Sequence, residues 1–124
     1  MNGAPGARVK PTEIRLKRDE KVLEIDFEDG QAFSLRAELL RVESPSAEVR
    51  GHGPGQKKTV TGRRHVGIMK IETVGNYAIR IVFDDLHETG IYSWTGLYDL
   101  GQRQDEIWRA YLDELETQGL SRDP

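Results

Sequence analysis

His87 stands in an acidic run, Asp84-Asp85-Leu86-His87-Glu88. Carboxylates beside an imidazole are donor types that divalent metals accept, and His52 or His65 could add a second imidazole. An acidic hairpin turn whose histidine caps backbone groups accounts for the same residues. The non-haem iron triad needs His-x-Asp/Glu. Here Thr89 occupies the third position, so that motif is absent. A second grouping is Gly51-His52-Gly53-Pro54-Gly55-Gln56-Lys57-Lys58-Thr59. It is not a phosphate-binding P-loop: Gln56 stands where glycine must precede the lysine, a proline interrupts, and no helical pattern follows. Its glycines still expose backbone N–H groups, and Arg50, His52, Lys57, Lys58, Arg63 and Arg64 lie within or beside it. Such a stretch suits a phosphate, a carboxylate or an acidic partner surface. A solvated loop with no ligand explains it equally well. Ser44, Ser46 and Ser93 lack a Gly-x-Ser-x-Gly setting, so nucleophilic catalysis has no support. Tyr92, Trp94, Tyr98, Trp108 and Tyr111 suit either an exposed stacking face or a core.

The bulk composition narrows the classes further. The chain has 124 residues, 31% of them charged, a formal net charge of −3 and no cysteine. Disulfides, thiolate zinc sites and cysteine-ligated clusters are excluded. The acidic balance makes nucleic acid an unfavoured partner, and no apolar run is long enough to span a bilayer. A cytoplasmic location is expected.

Positioning these residues falls to an α+β domain over residues 11–120, after a disordered tail at 1–10. Thr12 to Lys17 and Val22 to Phe27 alternate with period two, as half-buried strands do. Glu28-Asp29-Gly30 makes a hairpin turn, because Asp-Gly tolerates positive φ. Ala32 to Leu35 returns, and Ala37 to Val42 reads as a short helix. Residues 43–64 form a long basic glycine-rich loop. They hold four glycines, and five basic side chains stand against Glu43 and Glu48. The slipping alternation of Val66, Ile68, Ile71 and Val74 predicts a bulged strand. Tyr77 to Phe83 and Ile91 to Trp94 follow as strands. Thr95 to Leu100 reads as a short helix closed by Gly101. Gln104 to Gln118 reads as an amphipathic helix with a stripe of Ile107, Trp108, Tyr111, Leu112 and Leu115, capped by Gly119.

The two halves match in plan: Phe27-Glu28-Asp29 with Phe83-Asp84-Asp85, Phe33 with Ile91, and Leu39 with Leu97. The expected fold is therefore one twisted antiparallel sheet of two pseudo-repeated hairpin units, with a C-terminal helix on one face.

The second half carries Val74-Gly75-Asn76-Tyr77-Ala78-Ile79, then Phe83-Asp84-Asp85-Leu86-His87, then Thr89-Gly90-Ile91-Tyr92-Ser93-Trp94. With Leu40-Arg41 leading into Ser44-Pro45-Ser46-Ala47, this resembles the γ-butyrobetaine hydroxylase-like N-terminal domain family over about residues 11–101. That module precedes the oxygenase domain of γ-butyrobetaine and trimethyllysine hydroxylases and also occurs as a free-standing bacterial protein. The resemblance implies a structural zinc held by three cysteines and one histidine. The matching positions here are Ser44, Ser46, Val49 and His87, so only the histidine is kept. No cofactor is expected, with the family zinc site lost, and His87 remains the one candidate metal ligand. The resemblance supplies no catalytic residue, so the chain is not expected to be an enzyme.

The expected function is a small non-catalytic interaction or adaptor module. It would bind a protein partner or a second copy of itself through the 50–64 loop and a surface around Tyr92 and Trp94. The alternative is a metal- or iron-binding docking accessory, since the resemblance extends to modules fused to Mrp-type ATPases of Fe–S assembly and to 2-oxoglutarate-dependent oxygenases. A third class is a sensor of small anions.

Overall fold

The structure, a computed structural model, describes residues 9–45, 59–85 and 90–124. His87, Arg50, His52, Lys57 and Lys58 lie outside the described residues. So do Ser46, Val49 and most of the tail expected to be disordered.

Two antiparallel three-stranded sheets form, in place of one. In the first, β1 (Pro11–Lys17), β2 (Val22–Phe27) and β3 (Ala32–Arg36) run in sequence order. Helix α1 (Ala37–Val42) follows without a loop. In the second, β4 (Ile68–Val74), β5 (Ala78–Phe83) and β6 (Gly90–Ser93) repeat the order, and α2 (Trp94–Gln118) follows directly. The α+β class and the paired units hold. The two units remain separate sheets, each third strand running straight into a helix, and α2 packs against β3.

The pseudo-repeat is closer than the sequence reading allowed. Strand β1 slips register between Pro11 and Glu13, opposite Phe27 and Asp26. Strand β4 slips between Ile68 and Lys70, opposite Phe83 and Val82. A bulge thus recurs at the same place in each unit. Backbone bonds outside the ladders recur as well. Glu28 N–H donates to Lys10 and Asp84 N–H to Gly67, at 3.0 and 2.9 Å. Ala37 N–H donates to Lys21 and Trp94 N–H to Tyr77, at 2.9 and 3.0 Å. Strand pairing corrects the alignment after the acidic turns. Ile25 pairs with Phe33, and Ile81 pairs with Gly90. Phe33 therefore corresponds to Gly90 and Leu40 to Leu97, one residue away from the sequence match.

The units exchange contacts reciprocally. Asp29, in the turn of the first unit, accepts from the Tyr98 hydroxyl of the second unit's helix at 2.5 Å. Asp85, in the turn of the second, accepts from Arg41 Nε of the first unit's helix at 2.9 Å. Phe33 packs against Gly101, and the equivalent Gly90 lies against Ser44 and the Tyr92 ring. One core results. It takes Leu23, Ile25, Phe27, Leu35 and Leu40 from the first unit, and Ile79, Ile81, Phe83, Tyr92 and Leu97 from the second.

Helix α2 runs over 25 residues as two helical segments joined across a kink at Arg103, so the two helices expected from the sequence are present, with the break two residues beyond Gly101. Gly101 does not end a helix. A Cβ there would lie 2.3 Å from Phe33 Cγ, so glycine is required by close packing. Ser93 caps the start, accepting from Gly96 N–H at 3.0 Å, and Gly119 closes the end in the left-handed region at φ +67°. Of the expected stripe, Tyr111 and Leu115 are buried and Ile107 and Trp108 half-buried, while Leu112 is exposed. No helix among the described residues is long and apolar enough to cross a membrane.

Candidate functional site

One face of α2 borders the larger recess, a cavity of about 750 Å³. Gly96, Leu100, Arg103, Ile107, Ala110 and Glu114 recur at three- and four-residue spacing and so share a face. The opposite wall is Val42, Glu43 and Pro45 at the end of α1, with Thr59 and Val60. Strand β6 closes one end with Ile91, exposed by 39%, and Ser93. The described lining is apolar at its floor and acidic at its rim. Asp99, Glu106, Glu114 and Glu43 face a single guanidinium, Arg103, which itself bridges Asp99 and Glu106 at 3.0 and 3.1 Å.

Tyr111 anchors the wall. Its hydroxyl donates to the Val60 carbonyl at 2.7 Å, and its ring packs on Trp108. Burial, with the charge of Glu38 adding to it, raises the phenol from its ordinary 10 to about 12; Arg122 and Arg63 oppose the shift. A group whose folded pKa is raised contributes stability that is complete below the unfolded pKa and lost as pH rises to the folded one. The protein is therefore expected to lose on the order of 2 kcal/mol between pH 10 and 12 that a Tyr111→Phe variant does not lose. Urea unfolding across that range checks this; parallel curves for the two proteins would refute it.

Behind the recess lie charges that the sequence reading missed. Helix α1 buries all six of its residues, Glu38 and Arg41 included. Glu38 accepts two bonds from Arg122, at 2.8 and 2.7 Å. Arg122 and Arg36 both lie over the Trp108 ring, 5.1 and 4.0 Å from its centre. Arg41 and Arg63 meet at Asp85 Oδ2, 2.9 and 2.8 Å away. The signal available was a six-residue helix with no polar face that nonetheless carries two charges. At the sister position, the Tyr98 hydroxyl and then the Gln31 N–H hold the Asp29 carboxyl below its ordinary range.

The structure scatters the remaining candidates. Arg63 lies beside Asp85, and Arg64 is paired with Asp123. Tyr92 is not a surface residue. It is 3% exposed, and its hydroxyl donates to the Leu40 carbonyl at 2.5 Å, because the ring fills the space left by Gly90. Trp94 is half-buried, and its indole N–H donates to the Asn76 carbonyl at 2.8 Å. Of the four positions matched to family zinc ligands, only Ser44 is among the described residues, and it is fully buried. A serine hydroxyl is a poor zinc ligand, and two guanidiniums hold the nearby Asp85 carboxylate. The described donors therefore do not fit the metal.

Comparisons with known proteins agree with this architecture. One protein solved by NMR in solution is 48% identical over 99% of this chain and 92% of its own, with a TM-score of 0.82. A second NMR structure is 42% identical over 93% and 90%, also with a TM-score of 0.82. A crystal structure from Acidithiobacillus ferrooxidans, described as a protein of unknown function in the DUF971 family, is 36% identical over 80% of this chain and 98% of its own, at 0.65. No curated protein matches. The model of the family Gamma-butyrobetaine hydroxylase-like, N-terminal matches residues 14–98. The chain belongs to that family.

Proposed function

We propose that the chain is a non-catalytic interaction module, working in the cytoplasm, that receives a partner segment in the recess beside α2. The observation that carries this reading is the recess itself: an apolar floor, an exposed Ile91 and, among the described residues, a rim richer in carboxylates than in guanidinium. A peptide with an apolar anchor and basic flanks has the matching chemistry. Two of the three serines weighed as nucleophiles support the same reading, Ser46 lying outside the described residues. Ser44 is fully buried, and the Ser93 oxygen is spent capping α2. The metal-docking reading draws no support from the described residues.

A photo-crosslinking amino acid at Ala110, inside the recess, tests this in living cells against the same probe at the exposed Arg109. Discrete adducts from position 110 alone are expected, to a second copy or to another protein, as mass will tell. Ile91→Lys is expected to weaken them by about tenfold, the scale of losing one central contact. Equal labelling from both positions, or none from 110, would sink the proposal.

A further inference from the structure

Among the described residues, two guanidinium groups meet one carboxylate, Asp85. Arg41 donates through Nε to Asp85 Oδ2, and Arg63 Nε lies 2.8 Å from the same oxygen without being aligned to donate to it. The Arg41 residue is only 7% exposed, yet its Nη1 has no hydrogen-bond partner among the described residues, and neither has Arg63 Nε. Buried donors of folded proteins are almost always satisfied, and charged ones most of all. An unsatisfied buried guanidinium nitrogen therefore calls for an acceptor.

The sister half of the fold shows that the scaffold does not demand this charge. The position equivalent to Arg41 is Tyr98, and the equivalent of Asp85 is Asp29. There a neutral hydroxyl meets one carboxylate, and no donor is left over. The second half has exchanged a neutral donor for a guanidinium and added a second one from Arg63. Solvent reaches the edge of the pair, since the Arg63 and Asp85 side chains are 34% and 21% exposed, while Arg41 forms the base at 9% and the two unsatisfied nitrogens are themselves buried.

We infer that Arg41 and Arg63 form a binding site for a small oxyanion, a phosphate or carboxylate group, bridged between Arg41 Nη1 and Arg63 beside Asp85. Planar guanidinium donors match the paired oxygens of such groups. The site is independent of the α2 recess, and neither arginine lines that recess among the described residues.

The test is an NMR titration of the full-length, ¹⁵N-labelled protein, following arginine Nε–Hε signals. Inorganic phosphate and acetate are added separately, with sodium chloride holding ionic strength constant. Saturable shifts at Arg41 and Arg63 are expected, with the other arginines nearly still. Saturation by phosphate alone assigns the site to phosphate groups; saturation by both assigns it to oxyanions generally. Arg63→Gln is expected to weaken binding by about tenfold, as the loss of one charge-assisted bond would. Asp85→Asn is expected to tighten it, because the competing carboxylate is gone; a merely structural cluster would not respond in that direction. Shifts that stay linear and shared by all arginines overturn the inference, as does an Arg63→Gln curve that overlays the parent's. Arg63 is partly exposed, so that variant keeps the test decisive if Asp85→Asn fails to fold.

Discussion

Gly101→Ser is expected to destabilise the protein by about 3 kcal/mol, near the upper end for overpacking. A Cβ at this position would lie 2.3, 2.4 and 2.7 Å from three atoms of the Phe33 ring. That ring cannot retreat cheaply. It sits edge-on to Phe27 and Tyr98, with centres 5.9 and 5.5 Å apart, and those two rings are themselves 5.1 Å apart. The equivalent contact in the other half is Gly90 against Ser44, where the glycine and the larger residue have changed sides. Removing the ring should therefore relieve the clash. In urea unfolding, Phe33→Ala combined with Gly101→Ser is expected to cost about 1–3 kcal/mol less than the two single effects added together. Additive costs would mean that something other than this contact requires the glycine.

Arg122→Ala is expected to cost about 3 kcal/mol, the lower end for removing one partner of a buried ion pair. The Glu38 side chain is 7% exposed and takes both of its bonds from Arg122. Truncation strands a carboxylate in the core and also lifts a guanidinium from the Trp108 ring. Arg122→Lys should recover only part of the loss, since an ammonium cannot make the two-pronged contact. Chemical denaturation of the three proteins checks this. An alanine variant within about 0.5 kcal/mol of the parent, the range of ordinary surface changes, would show the pair to be dispensable.

The local elements were legible because local forces make them. Alternation marked β1 and β2, the apolar run to Phe83 marked β5, the slip after Ile68 marked a bulge, and Gly119 marked the helix end. What escaped was decided by distant neighbours. Gly101 looked like a terminator, and only the ring of Phe33, across the fold, gives its actual reason. Tyr92 looked like surface because strand alternation does not reveal that its neighbour Gly90 leaves room for a ring. Glu38 and Arg41 passed unnoticed because their partners, Arg122 and Asp85, stand 84 and 44 positions away. The candidate site was therefore less legible than the fold. The acidic turn was visible, but its Asp85 lies beside two arginines, and of the basic loop's cations only Arg63 and Arg64 are among the described residues.

The reciprocal exchange between the two units has a consequence for how the chain comes apart. The aspartate of each turn, and the residue that packs behind each helix, find their counterparts in the opposite half. A unit taken alone would keep its three strands and lose the groups that bond its turn aspartate and close its core. The halves therefore do not unfold in succession as two beads would. Melting either one strips the other of its lining, so the duplicated chain behaves as a single cooperative body.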